Sequence, residues 1–174
     1  LLGPGLAQGL EVQAMAAEGD PGAAPMKGQG QRQANMVPVA ETAGRMLARA
    51  DGPRIAVLEA YGWDTHVGQG AADGQLARRL ANLDAAMTAF RKGLGEAWND
   101  TVVTIVTEFG RTARPNGNKG TDHGTGAAAF LLGGAVKGGM VTADWPGLAD
   151  RNLFENRDLA ATGDVRSVLK GALA

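Results

Sequence analysis

The longest regular pattern in the chain is a series of apolar residues spaced three or four positions apart between residues 75 and 99. Charged residues such as Arg78, Asp84 and Arg91 occupy positions between them. This spacing places the apolar side chains on one face of an α-helix, so the sequence predicts a long helix with that face packed on a core. The apolar positions are Leu76, Leu80, Leu83, Met87, Phe90, Leu94 and Trp98.

Three shorter segments, at residues 54–60, 101–107 and 127–132, are largely apolar and show no helical spacing. Each has the length of a single strand, and residues 101–107 are β-branched almost throughout, which is typical of a buried strand. We therefore predict three strands, with residues 55–58 and 102–106 as buried neighbours in one sheet.

Two further helices complete the pattern. The first is predicted to begin at Pro38, which suits a first helical turn, and to end near Gly52, which suits a C-terminal cap. The last is predicted to begin after Asp164, whose side chain can cap a helix N-terminus. Helices and strands thus alternate, and the predicted fold class is α/β, with a mostly parallel sheet flanked by helices.

The first 36 residues differ from the rest. Residues 19–33 are polar, aperiodic and interrupted by Gly and Pro, a composition typical of flexible connections. We predict a linker or mobile segment over residues 1–36 and an α/β domain over residues 37–174. The chain begins with Leu1 and not with Met, so we expect a piece or a processed form of a longer protein.

Composition and charge argue against several classes of protein. Lys and Arg number 17 against 18 Asp and Glu, a net charge of −1, whereas a general nucleic-acid-binding protein has a basic excess. The absence of cysteine excludes disulfides and thiolate metal sites. No apolar stretch reaches the roughly 18 residues of a membrane-spanning helix. We therefore expect neither a nucleic-acid partner nor a membrane span.

The candidate chemistry lies around the two histidines, each of which has an aspartate close by. Asp64 precedes His66 by two residues, so both side chains point to one face of an extended segment. Asp122 directly precedes His123 in a glycine-framed loop, and Glu108 follows the strand predicted at 101–107. Because ligands bind at the carboxyl ends of strands in open α/β sheets, we expect these side chains to converge. Imidazole and carboxylate groups suit zinc, manganese or iron. The candidate metal ligands are Asp64, His66, Glu108 and His123.

Each of these residues also has an ordinary structural role open to it. His66 could instead hydrogen-bond a loop carbonyl, and Glu108 could form an ion pair with Arg111 or Arg114. The basic side chains of Arg111, Arg114 and Lys119 could bind an anion such as phosphate or sulfate. They could equally form a solvated basic loop.

Six short motifs, in order along residues 37–174, resemble sequences of the bacterial DUF1501 family. The resemblance implies that the chain is the C-terminal part of a longer protein whose N-terminal half is missing here. It also implies a periplasmic or exported location, because members commonly carry a twin-arginine signal. The family has no settled activity. The motifs are GWDTH at 62–66, TEFGRT at 107–112, GTDHG at 120–124, FLLGG at 130–134, DWPGL at 144–148, and RDL with DVR between 157 and 166.

The family is related to the alkaline phosphatase and sulfatase superfamily, which implies an alkaline-phosphatase-like α/β fold. Its metal ligands include an Asp and a His from one loop, similar to Asp64 and His66, and a later His, similar to His123. An Asp-His-Gly sequence follows a central strand of that fold, and Glu108 and Phe109 stand in its first two places here. Because Phe109 cannot replace a metal-binding histidine, the resemblance implies one weakly held ion or none.

Two functions from different classes remain open. The first is a metal-dependent hydrolase of small anionic phosphate or sulfate esters in the full-length protein. In that case Arg111 stabilises the oxyanion and Asp122 orients a metal-binding histidine. The second is a non-catalytic exported binding or structural module with a degenerate metal site. The resemblance locates the superfamily nucleophile in the missing half, so this chain alone is expected to be a very poor hydrolase under either function.

Overall fold

The structure, a computed structural model, describes residues 35–173. These residues form two compact units. The first contains the described residues up to Trp63 together with Ala77–Ala97, and the second contains Asp64–Leu76 and the described residues from Trp98 onward. The linker predicted over residues 1–36 lies outside the described residues, apart from its last two positions, and stays a prediction.

Helix α1 spans Met36–Leu47, and the side chain of Asn35 caps it by accepting a hydrogen bond from the Val37 backbone amide. The helix predicted to begin at Pro38 is therefore present, with Pro38 in its first turn, but it ends before Gly52. Gly44 on α1 lies against the C-terminal end of the long helix, where a Cβ atom would be 2.4 Å from the backbone oxygen of Phe90. Only a residue without a side chain lets the two backbones approach so closely.

Helix α2 spans Gln75–Leu94, as the apolar spacing predicts. The chain then turns at Gly95, which has a φ of 54°, into a 3-10 helix over Gly95–Asp100. The apolar face is not buried along its whole length, because Leu80 is 46% exposed and Leu83 is half-buried. The cost of truncating Leu83 should therefore fall below the roughly 2–5 kcal/mol of a fully buried leucine. The buried positions of α2 are Ala86, Ala89, Phe90 and Leu94.

The second unit contains two small sheets of two strands each. Strand β1 (Val103–Ile105) pairs with β4 (Phe130–Leu132), and β2 (Gly110–Arg111) pairs with β3 (His123–Gly124). Both pairs are antiparallel. Helix α3 (Val165–Ala172) is the last element of the unit. The Asp164 side chain caps it by accepting a hydrogen bond from the Arg166 backbone amide, as predicted.

The prediction of a mostly parallel sheet is wrong for the described residues, in which every strand pair is antiparallel. Residues 54–60 form no strand, and Ile55 and Val57 are 67% and 84% exposed. An apolar run alone does not specify a strand, because a strand forms only where a neighbour satisfies its backbone N–H and C=O groups. The fold thus combines helices with small antiparallel sheets. None of the helices described within residues 35–173 is long and apolar enough to cross a membrane.

Candidate metal centre

An extended segment carries the first two candidate ligands. Thr65 is only 5% exposed, and its hydroxyl donates to Gln69 Oε1 at 2.8 Å. Because successive side chains of an extended segment point in opposite directions, Asp64 and His66 project together to the other side. The segment continues into a bridge between Val67 and Lys119, which joins it to the loop that precedes His123.

The β2–β3 hairpin supplies the other side of the centre. Its register pairs Arg111 with His123 and Gly110 with Gly124. Gly124 leaves room for this pairing, since a Cβ atom there would be 2.6 Å from the carbonyl carbon of Arg111. The hairpin therefore brings a guanidinium and an imidazole to the Asp64 carboxylate.

The Asp64 carboxylate joins the two histidines. Its Oδ1 atom lies 2.9 Å from His66 Nε2 and 2.9 Å from His123 Nε2. One ligand atom from each residue lies within 4.8 Å of the others, and the two imidazole centroids are 4.9 Å apart. We call Asp64, His66 and His123 the triad. Its side chains are 42–52% exposed, so an ion can reach them from solvent.

Asp122 and Asn116 orient one imidazole of the triad. Asp122 Oδ1 lies 2.9 Å from His66 Nδ1, and Asn116 donates to the same oxygen at 2.9 Å and to the His66 backbone carbonyl at 3.0 Å. The hydrogen bonds from His66 and then Asn116 lower the pKa of Asp122. A carboxylate at Nδ1 holds the proton there and leaves Nε2 free for a metal ion.

The Arg111 guanidinium lies between the triad and Thr121. Nη1 donates to Asp64 Oδ1, Nη2 donates to the Thr121 backbone carbonyl, and Nε donates to the Thr121 hydroxyl at 3.0 Å. The Thr121 hydroxyl in turn donates to Gln69 Oε1 at 2.7 Å. The hydrogen bond from Arg111 is the main cause of a lowered pKa for Asp64, so this carboxyl group stays ionised in weak acid.

Two neighbouring residues of the TEFGRT motif, Glu108 and Phe109, differ in their relation to the triad. The Phe109 ring stacks on the His123 ring, with centroids 3.9 Å apart and planes 24° apart. Glu108 is exposed and does not belong to the group of ligand atoms formed by the triad. The structure thus brings three of the four candidate ligands together, and the role of Glu108 as a ligand stays a prediction.

Sequence analysis missed Asn116 and Gln69, which position the site. Asn116 lies in the Pro115–Asn116–Gly117 turn sequence, and its Oδ1 accepts from the backbone amides of Asn118 at 2.9 Å and Gly120 at 3.1 Å. Such turn sequences are a signal for side-chain-to-backbone bonding. No comparable pattern marks Gln69: one of its hydroxyl partners is the nearby Thr65, but the other, Thr121, lies far along the chain.

Residues 9–170 match the model of a family described as "Protein of unknown function (DUF1501)". The matched range includes the triad, Arg111, Asn116 and Asp122. It begins within the stretch predicted as a linker. No curated protein and no solved structure matches this sequence. Because the match covers most of the chain, in agreement with the six sequence motifs, the protein belongs to the DUF1501 family.

Proposed function

We propose that the triad is the metal-binding centre of a hydrolase of phosphate or sulfate esters, active in the longer protein to which this chain corresponds. The observation that carries the proposal is the approach of two imidazole nitrogens to one carboxylate oxygen, at 2.9 Å each. Two imidazoles and a carboxylate are a common donor set for zinc, manganese and iron. Three protein ligands also leave a coordination position open for substrate or water.

The kinship with the alkaline phosphatase and sulfatase superfamily is part of this proposal. It is supported by the types and the chain order of the donors Asp64, His66 and His123. The proposal includes Glu108 as a further ligand, supported by its place after β1. The superfamily's fold finds no support in the antiparallel strand pairs of the described residues. An exported or periplasmic location rests on the same resemblance.

Each residue of the centre has a defined task in this function. A bound divalent ion would supply charge for the transferring group and would activate a nucleophile. Asp122 at Nδ1 of His66 would hold the proton there and leave Nε2 available to an ion. Arg111 places a positive charge beside Asp64, where it could stabilise negative oxygens of a phosphoryl or sulfuryl group.

Metal content tests the proposal directly. After equilibrium dialysis against an excess of Mn²⁺ or Zn²⁺, we expect about one bound ion per chain by elemental analysis. The ion should be lost in Asp64→Asn, because this change removes the carboxylate that joins the imidazoles. Asp144→Asn is the matched control, since Asp144 is exposed and outside the triad. Equal metal content in the two variants, or none in the unchanged protein, would overturn the proposal.

A non-catalytic module with a degenerate metal site is the second candidate function. The stacking of Phe109 on His123 favours it, because an aromatic side chain stands where the related enzymes have another metal-binding histidine. A protein of this kind would give no turnover even at full length. Turnover by the full-length protein, lost in His123→Ala, would exclude it.

The chain on its own should hydrolyse aryl phosphates and aryl sulfates no faster than buffer containing the same metal ion. The reason is that the superfamily nucleophile is implied to lie in the part that is missing. Release of the coloured aryl alcohol measures both reactions. Activity that co-purifies with this chain and disappears in His66→Ala would contradict the expectation.

Metal binding should weaken in acid, because a protonated imidazole cannot bind an ion. Asp64 does not contribute to this loss, because Arg111 lowers its pKa further below the usual 3.8. Titrations with Mn²⁺ at a series of pH values measure the effect. An affinity that stays constant down to about pH 4.5 would argue against imidazole ligands.

A further inference from the structure

We propose that the metal-loaded triad and the Arg111 guanidinium form one site for a tetrahedral oxyanion, and that the ion and the oxyanion bind cooperatively. The inference rests on the proposed function and extends it from a metal centre to a coupled two-ligand site. The ligand class is a phosphoryl or sulfuryl group, either as the free anion or as a monoester.

The charge of the centre changes sign when an ion binds. Asp64 and Asp122 are carboxylates, Arg111 is the cation that contacts Asp64, and the histidines that bind an ion are neutral. Glu108 lies outside this group of ligand atoms in the chain, so the cluster carries one net negative charge without an ion and one net positive charge with a divalent ion. The loaded centre attracts an anion, whereas the centre without metal repels one.

Arg111 keeps its place when the ion takes the Asp64 carboxylate. Two of its nitrogens bind Thr121, whose hydroxyl is itself held by Gln69. These contacts do not involve Asp64, so the guanidinium stays beside the triad. The contacts to Thr121 and Asp64 use three of the five N–H donors of a guanidinium, which leaves donors for an oxyanion.

The ion and the guanidinium share one carboxylate oxygen. Asp64 Oδ1 already accepts from Arg111 Nη1 and lies 2.9 Å from both histidine nitrogens. A divalent ion at the triad therefore meets a fixed positive charge, and its affinity is low when it binds alone. An oxyanion that contacts both cations offsets their repulsion. A tetrahedral anion suits this place because it has several oxygens, so that one can bind the ion while another accepts from Arg111.

The thermodynamic consequence is reciprocal coupling. If the oxyanion raises the affinity for the ion by a given factor, the ion raises the affinity for the oxyanion by the same factor. We expect inorganic phosphate to tighten Mn²⁺ binding by about 5- to 50-fold, within the usual range for coupled sites. Inorganic sulfate is also tetrahedral and should likewise tighten Mn²⁺ binding.

The experiment measures free Mn²⁺ by electron paramagnetic resonance during titration of the whole chain, with and without inorganic phosphate. A protein-free titration corrects for Mn²⁺ that phosphate binds in solution. In Arg111→Ala, Mn²⁺ alone should bind more tightly than in the unchanged chain, because its competitor is gone, and phosphate should no longer tighten it. Arg166→Ala is the matched control, since Arg166 pairs with Asp164 and not with the triad.

The possible outcomes separate the two proposals. Absence of Mn²⁺ binding with and without phosphate would overturn the proposed function itself. Mn²⁺ binding that phosphate does not change, or a phosphate effect that survives in Arg111→Ala, would overturn the coupled site alone. Arg111→Lys provides a second variant if the alanine variant does not fold. It keeps the cation and loses the planar donors, so coupling should be reduced and not abolished.

Discussion

His66→Ala should reduce the affinity of the chain for Mn²⁺ or Zn²⁺ by more than 100-fold. Within the centre, only the loss of another ligand should reduce the affinity as much. In the proposed centre the imidazole would supply one of three ligand atoms, and its removal would leave a carboxylate and one histidine. Asp122→Asn should cost less, about 10- to 100-fold, because this change acts only through the orientation of His66. Isothermal titration calorimetry of the three proteins measures this order.

The order of these two effects is the informative result. If Asp122→Asn weakened binding more than His66→Ala, Asp122 would be a direct ligand and the assignment of His66 would be wrong. Circular dichroism spectra that match the unchanged protein serve as the folding control. His66 and Asp122 are each partly exposed, so their replacement should leave the fold intact.

Gly120→Ala should produce a large loss of stability at the site. A Cβ atom at Gly120 would lie 2.2 Å from the carbonyl carbon and from the oxygen of His66. Backbone atoms cannot move aside as a flexible side chain can, so the loop must separate from the segment that carries the triad. We expect a cost of about 3 kcal/mol or more in the free energy of unfolding, together with loss of metal binding.

Gly117→Ala is the matched control for this change. Gly117 lies in the same loop, and a Cβ atom there would meet nothing within 4 Å. Its substitution should shift the free energy of unfolding by no more than about 1 kcal/mol. Urea denaturation of both variants measures the difference. Equal stabilities would show that the loop and the His66 segment are not packed as closely as described.

The helices could be predicted from the sequence because the information that forms them is local. The spacing of apolar residues defines α2, and the cap at Asp164 defines the start of α3. The segment at 54–60 shows the limit of this method. Its apolar residues predict burial in a sheet, but sheet formation depends on a partner strand that the segment itself does not encode.

The sequence predicted part of the candidate site, but the strand arrangement that forms the site differs from the predicted one. Sequence analysis expected convergence at the ends of parallel strands. Instead, the antiparallel register of the β2–β3 hairpin brings His123 opposite Arg111, and the Val67–Lys119 bridge joins the two loops. Local spacing identified Asp64 and His66 as a pair. It did not predict that Glu108 is exposed and outside the triad.

Because the Thr65 side chain is buried, the triad depends on the length of the Asp64–His66 segment as strictly as it depends on the identity of Asp64 and His66. Extended chains alternate with a period of two residues, and Thr65 fixes the phase by occupying the interior. A single inserted residue beside it would turn one donor inward and leave the other outside, although both donors would still be present in the sequence. A search for proteins of similar chemistry should therefore penalise an insertion or deletion within residues 64–66 more than the replacement of Thr65 by another small residue that forms hydrogen bonds.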